Sequence, residues 1–158
     1  MLSPDLRKLL IAQIGNELGA HQLYMGIALY FERQSLDRWA KLFRDQAIEE
    51  AQHATKIMDF LVDNDVDFDL PALKATATRF DSASAAANRA LASERTVAGQ
   101  FDHAAAVAIA HGDHRGHQFL QWFIAEQVEE EAKLQAIVDL IDSGINLFQA
   151  EALLDRFE

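Results

Sequence analysis

Apolar side chains recur every three or four residues along four long stretches of this chain, which is the spacing of helices that bury one face. The first stretch opens with Ser3 as the predicted N-cap and Pro4 at the first helical position. Ser35 is the predicted cap of the second helix, which we expect to end near Asn64. The apolar stripe of the first helix consists of Leu6, Leu10, Ile14, Tyr24, Ile27 and Phe31.

The second half of the chain predicts two more long helices and a short one. The third helix should begin within "DSASAAANRA" and stop at Gly112, and the fourth should follow almost at once, over about 114–143. Gly144 would terminate it, because glycine readily adopts the left-handed conformation that follows many helices. Asn146 and Gln149 form a predicted capping pair for a fifth helix over 146–157.

The connections between these helices predict the topology. Short links inside each half give two antiparallel hairpins, whereas "DVDFDLPALKATATRF", residues 65–80, is predicted to be an extended crossover. At about 3.3 Å per residue this segment reaches about 50 Å, which is longer than a helix of about 30 residues. We therefore predict one domain, residues 1–158, of the all-α class. It is a four-helix bundle with a long crossover between the second and third helices, although a bundle without the crossover is the alternative.

Composition narrows the function classes. The net charge of −11 argues against nucleic acid as a partner and suits the attraction of cations. There are no cysteines, which excludes disulfides and thiolate metal sites. The N-terminal residues do not resemble a signal peptide, and no apolar run is long enough for a membrane span. We expect a cytoplasmic protein with no membrane partner.

Each long helix carries one acid within an otherwise apolar or small heptad row. Residues seven apart lie on nearly one face of a helix, so these acids should point into the bundle. His53 follows its acid by three residues and points the same way, and Gln127 stands in the corresponding region of the fourth helix. The four acids are Glu17, Glu50, Glu94 and Glu130.

The depth of these acids gives a second indication. The midpoints of the predicted helices fall near residues 18, 50, 97 and 128, so all four acids lie close to a midpoint. Helices of similar length in a bundle place their midpoints at one level. We therefore expect the four carboxylates to converge on one layer in the middle of the core.

Four buried carboxylates need either protons or bound cations. Two divalent ions carry a charge of +4, which balances the four glutamates. His53 stands three residues after Glu50, so both side chains can reach one ion. Oxygen donors with one imidazole suit iron, manganese or zinc better than calcium.

Four stretches with this arrangement resemble the bacterial non-haem ferritins in order and spacing. They are "NELGAHQLY", "IEEAQHA", "SERTVAGQ" and "FLQWFIAEQVEEE", and "GINLFQAEALLDRF" resembles the short fifth helix of that family. The resemblance covers the whole chain. It implies a ferritin-like fold and a homo-oligomeric shell of 24 subunits. It also implies oxidation of Fe(II) by oxygen, with storage of the iron as a ferric mineral.

The resemblance also implies roles for individual residues. Glu17, Glu50 and His53 would hold the first iron, and Glu50 would bridge to the second. Glu94 and Glu130 would also bind that second iron.

Gln127 would lie beside the second ion, and Tyr24 would be the tyrosine near the dimetal centre that can donate an electron. Core packing with a hydrogen-bonded hydroxyl is the alternative role for Tyr24. The haem-binding relatives use a methionine as a shared haem ligand, and Gln52 stands at that position, so we predict that no haem binds.

Many relatives add a third iron site. Glu49, Glu126 and Glu129 match its acidic positions, whereas Gln46 stands where some relatives have a histidine. An acidic ridge that faces the shell interior is the alternative interpretation of these residues.

Two further groups are less specific. His111, His114 and His117 surround the turn between the third and fourth helices, near the threefold pores in this family, where either a metal site or a hydrated turn would fit. Trp39 and Trp122 are expected in the core or at subunit contacts.

Three rival functions remain at this stage. A di-iron or dimanganese enzyme would act on an organic substrate or peroxide and need not form a shell. A helical interaction protein would bind no Fe(II) in fixed stoichiometry. A DNA-protecting mini-ferritin would place its iron between subunits, which four acids within one bundle argue against.

Overall fold

The computed structural model describes residues 1–158 and consists of helices and their connections. This confirms the predicted all-α, ferritin-like four-helix bundle. A short α-helix, α5 (Leu147–Ala150), continues into a 3₁₀ helix (Glu151–Phe157) at the C-terminal end. The long helices are α1 (Pro4–Arg33), α2 (Asp37–Asp63), α3 (Ala83–Ala110) and α4 (His114–Asp142).

Side-chain caps fix the start of three long helices. The Ser3 hydroxyl accepts a hydrogen bond from the backbone N–H of Leu6, as the sequence predicts. Ser82 caps α3 in the same way. Asp113 caps α4 through one carboxylate oxygen and accepts from the Ser3 backbone N–H through the other, so it joins the starts of α1 and α4.

The predicted cap of α2 was wrong. Ser35 has φ of 60° and its N–H donates to the Glu32 carbonyl, so it ends α1 in the left-handed conformation. Leu36 occupies the N-cap position of α2 and offers no side-chain hydrogen bond. The link is too short for Ser35 to end one helix and cap the next.

The short C-terminal helix is less regular than predicted. Asn146 accepts hydrogen bonds from the N–H groups of Phe148 and Gln149, which confirms it as a cap. The Gln149 side chain makes no return bond, so the capping pair is one-sided. The indole of Trp39 donates to the Leu147 carbonyl at 2.9 Å and holds this helix against the start of α2.

The crossover over residues 64–82 runs along the surface of α1. A β-carbon added at Gly15 would lie 3.0 Å from Pro71, and one added at Gly26 would lie 2.3 Å from the carbonyl oxygen of Ala77. The second distance is shorter than any real contact, so only glycine lets the crossover pack this closely against α1.

The apolar core divides into two clusters, one near each end of the bundle. On α1 the first cluster ends at Ile14 and the second begins at Leu23, and the other long helices divide in the same way. The gap contains the buried polar side chains that the heptad rows predict at mid-bundle. None of the helices is long and apolar enough to cross a membrane.

Candidate metal centre

A layer of buried polar side chains crosses the middle of the bundle. Each long helix contributes at least one glutamate to it, and those four glutamates are at most 6% exposed. Such burial without compensation would strongly disfavour the charged form of each carboxyl. The layer consists of Gln13, Glu17, Gln46, Glu50, His53, Glu94, Gln127 and Glu130.

Three members of the layer meet on one side. Glu17, Glu50 and His53 each offer a ligand atom, and these atoms all lie within 4.8 Å of one another. The Nδ1 atom of His53 lies 3.4 Å from one Glu50 oxygen and 3.8 Å from one Glu17 oxygen. His53 Nδ1 and Glu17 Oε2 are buried and have no hydrogen-bond partner. Unpartnered buried donor atoms that face one point are what a bound cation would satisfy.

Aromatic rings fix the orientation of His53. Trp122 and Phe123 contact the imidazole edge-to-face, with ring centroids 5.5 and 5.9 Å away. The ammonium of Lys56 lies over the Trp122 ring, 3.6 Å from its centroid. The imidazole is thereby held with Nδ1 toward the two carboxylates.

The other half of the layer is more fully hydrogen-bonded. The Tyr24 hydroxyl donates to Glu94 Oε1 at 2.5 Å, and the Gln127 amide donates to Glu94 Oε2 at 2.9 Å. The same amide nitrogen lies 3.1 Å from the Glu94 backbone carbonyl, which fixes the direction of the Gln127 side chain. Gln127 Oε1 is left buried without a partner.

Gln46 joins the two halves. Its amide nitrogen donates to Glu50 Oε1 at 3.1 Å and to Glu130 Oε2 at 2.7 Å. Its amide oxygen accepts from the ammonium of Lys133 at 3.2 Å. The carboxylates of Glu50 and Glu130 are thus held by one amide, which is itself held by a lysine.

Burial changes the protonation of the acids. It raises the pKa of Glu50 and of Glu94 to about 7, and neighbouring carboxylates add to the effect. Burial and the Glu94 charge raise the pKa of Glu130 to about 8, while Lys133 opposes this rise. Without a bound cation, the layer therefore carries protons at neutral pH, and cation binding should release them.

The pKa values of the basic and phenolic groups in the layer are raised as well. Burial disfavours charged His53, but the adjacent Glu17 and Glu50 carboxylates outweigh it and raise the pKa of His53 to about 10. Burial and the neighbouring carboxylates raise the pKa of Tyr24 well above its usual value, so its hydroxyl remains protonated.

Donor chemistry supports a transition-metal site. Carboxylate oxygens, an amide oxygen and one imidazole nitrogen match the ligand preferences of iron, manganese or zinc. Glu94 and Glu130 do not belong to the group formed by Glu17, Glu50 and His53, whose ligand atoms lie within 4.8 Å of one another. Glu50 has Glu17 as a charged neighbour in the first group and Glu94 as a charged neighbour in the other half.

The residues predicted for a third iron site lie together but do not converge. Glu49, Glu126 and Glu129 line an open pocket of about 540 Å³ beside Glu130. Their ligand atoms form no group within 4.8 Å, and Glu126 Oε2 is buried without a partner. The pocket also contains Lys133.

The histidines at the α3–α4 turn do not form a metal cluster either. His111 Nε2 lies 3.0 Å from a carboxylate oxygen of Asp5, and His117 contacts Gln121. Neither these residues nor His114 belong to a group of three ligand atoms. Within one chain these residues therefore form no metal site, and a site shared between subunits stays a prediction.

Two features of the centre lie outside the sequence-based expectations. Gln13 donates to Glu17 Oε1 and to Gln100, both at 3.2 Å, so it orients the first carboxylate. Its position four residues before Glu17 on the same helix was a usable signal. The second feature is Lys133, which stands three residues after Glu130 and lies outside the apolar rows.

A four-helix bundle with one long crossover and mid-bundle carboxylates with a histidine defines the ferritin-like class. A family model described as a ferritin-like domain matches residues 7–143, which is most of the chain. The chain belongs to the ferritin family, whose members store iron.

Relatives from bacteria and from an archaeon agree with this assignment. Ferritin BfrB of Mycolicibacterium smegmatis is 39% identical over 156 residues, covering 98% of this chain and 86% of that protein. The bacterial non-haem ferritin of Staphylococcus epidermidis is 34% identical over 141 residues, covering 89% and 85%. An open-pore ferritin from the archaeon Archaeoglobus fulgidus superposes with a TM-score of 0.93 at 30% identity, over 98% of each chain.

Proposed function

We propose that this ferritin oxidises Fe(II) with oxygen at a dinuclear centre within each subunit. Glu17, Glu50 and His53 hold the first Fe(II) ion as substrate, and Glu50 bridges to a second ion held by Glu94 and Glu130. The observation that carries this proposal is the layer of four buried glutamates with unpartnered atoms on Glu17 and His53.

The residues of the layer have separate chemical tasks in this proposal. Four carboxylates supply the negative charge that favours Fe(III), the more highly charged ion. Glu50 keeps the two ions adjacent, so that one oxygen molecule accepts one electron from each. Gln127 lies beside the second ion with its free amide oxygen directed away from the Glu94 carboxylate that its nitrogen holds.

Tyr24 is proposed as a further one-electron donor to the oxygen that the two irons reduce. Its ring is fully buried and stacks on Phe43, with centroids 6.2 Å apart. When the electron leaves, the hydroxyl proton can pass to Glu94 Oε1, which lies 2.5 Å away. Glu94 therefore serves as both an iron ligand and the proton acceptor for the tyrosine.

Storage follows from assembly and charge. We propose a homo-oligomeric shell of 24 subunits in which the oxidised iron is deposited as a ferric mineral. The charge of −11 on each subunit attracts Fe(II). The absence of haem and the cytoplasmic location both stay predictions.

Glu50→Ala tests the dinuclear centre. In stopped-flow mixing with Fe(II) and oxygen, we expect the variant to lose rapid oxidation because the bridging carboxylate is missing. Asp59→Ala, at an exposed position on the same helix, is the matched control and should oxidise iron normally. Light scattering should give a particle of about two dozen subunits for both proteins. Rapid oxidation by the assembled Glu50→Ala protein would show that oxidation does not take place at the proposed dinuclear centre.

The rival function as an enzyme for an organic substrate has less support. Such an enzyme needs a channel to the dimetal centre that suits the substrate. The groove that reaches Gln127 is open and not an enclosed channel, and its lining mixes three charged side chains with apolar and amide ones; the charged ones are Arg95, Asp102 and Glu131. A dimer in light scattering, with turnover of an organic substrate, would favour this rival.

A further inference from the structure

The acid-lined pocket beside the metal layer contains two basic side chains, Lys133 and Arg156, and Lys133 reaches the metal layer itself. Lys133 lies one turn after Glu129 on α4, and its side chain is half-buried. The pocket has a volume of about 540 Å³ and opens to solvent. Its charged lining consists of Glu49, Glu126, Glu129, Glu130, Lys133, Arg156 and Glu158.

The ammonium of Lys133 binds an amide rather than an acid. Its nitrogen lies 3.2 Å from Gln46 Oε1, and no carboxylate oxygen comes within 4.0 Å of it. Its charge is therefore balanced by the pocket as a whole and not by one partner. A divalent ion that enters the same pocket meets this charge at short range.

The contact with Lys133 also fixes the direction of the Gln46 amide. Gln46 is 2% exposed, and its oxygen accepts from Lys133 while its nitrogen donates to Glu50 and Glu130. A lysine ammonium can only donate, so it holds the amide oxygen on the pocket side. That oxygen is the neutral ligand which the pocket would otherwise offer to a cation.

We propose that Lys133 is a built-in counter-cation that takes the place of a third metal ion, so that each subunit binds two divalent ions tightly and not three. It acts as a positioning residue, because it holds Gln46 and through Gln46 the carboxylates of Glu50 and Glu130. This inference rests on the proposed dinuclear centre. It also accounts for Glu49, Glu126 and Glu129 lying around one pocket without converging on a point.

Zinc titration of the assembled, metal-free protein tests the proposal, with calorimetry to count ions per subunit. We expect two tightly bound ions in the unaltered protein. Lys133→Met and Lys133→Gln remove the charge and should bind a third ion about tenfold or more tightly than the unaltered protein does. Lys133→Arg keeps the charge and should again bind two. Lys74→Met removes an exposed lysine from the crossover and is the matched control, which should also bind two.

The outcomes separate this inference from the proposed function. Three tight ions in the unaltered protein would overturn it, as would unchanged third-ion affinity in both neutral variants. A third ion bound equally well by Lys133→Arg would show that charge is not the cause, which also overturns it. If the unaltered protein bound no zinc tightly, the dinuclear centre itself would fail.

Discussion

Replacing the bridging glutamate should make the metal-free protein more stable. Glu50 is 1% exposed and has Glu17 and Glu94 as acidic neighbours, so its charged form is disfavoured when no cation is bound. Glu50→Gln keeps the shape and removes the charge. Its amide oxygen can still accept from Gln46, and its new N–H group can donate to the unpartnered Glu17 oxygen.

The magnitude follows from the pKa of Glu50. Its value rises from 4.5 to about 7 on folding, so the folded state holds the proton more tightly than the unfolded chain does. The resulting stability is complete below the unfolded pKa and is lost as pH rises through about 7. A shift of about 2.5 units corresponds to about 3 kcal/mol. Glutamine resembles the protonated form at every pH, so it should retain that stability in alkali.

Calorimetry of metal-free protein measures this effect. At pH 8 the midpoint temperature of Glu50→Gln should exceed that of the unaltered protein by about 6–12 °C. At pH 5 the difference should shrink to about 2–4 °C, because the unaltered glutamate is then protonated. Asp59→Asn, an exposed change on the same helix, should shift neither value. A lower midpoint for Glu50→Gln at pH 8, or a difference independent of pH, would refute the reasoning.

Three further changes test other parts of the structure. Gly26→Ala should lower the free energy of unfolding by about 1–3 kcal/mol, because the new β-carbon overlaps the Ala77 carbonyl. Thermal melting measures this loss, and an unchanged midpoint temperature would contradict the close packing of the crossover on α1. Trp39→Phe removes the hydrogen bond to Leu147 and should speed amide hydrogen exchange over 147–157 while leaving α3 unchanged. Tyr24→Phe should still bind two zinc ions but form no tyrosyl radical during iron oxidation, as followed by electron paramagnetic resonance.

The layer could be predicted because its signal is local in each helix. Glu17, Glu50, Glu94 and Glu130 each interrupt a heptad row of apolar or small residues, and helices of equal length bring their midpoints together. The crossover was also predictable from a local pattern, because its alternating acids and its proline do not fit a helix. Both inferences depend on backbone periodicity and chain length only.

The features outside those predictions depend on side-chain reach and on competition between neighbouring turns. Ser35 has a suitable side chain for a cap, but its backbone is used to end α1. Lys133 lies outside the apolar row, and only the path of its long stem brings its ammonium to Gln46. Heptad spacing carries no information about either effect.

Anomalous diffraction from crystals soaked with Zn²⁺ tests the central claim most directly. The claim predicts two zinc peaks in each subunit at mid-bundle, one beside Glu17 and His53 and one beside Glu94 and Glu130, with Glu50 between them. Zinc found only at exposed surface acids, with the mid-bundle layer bare, would contradict it.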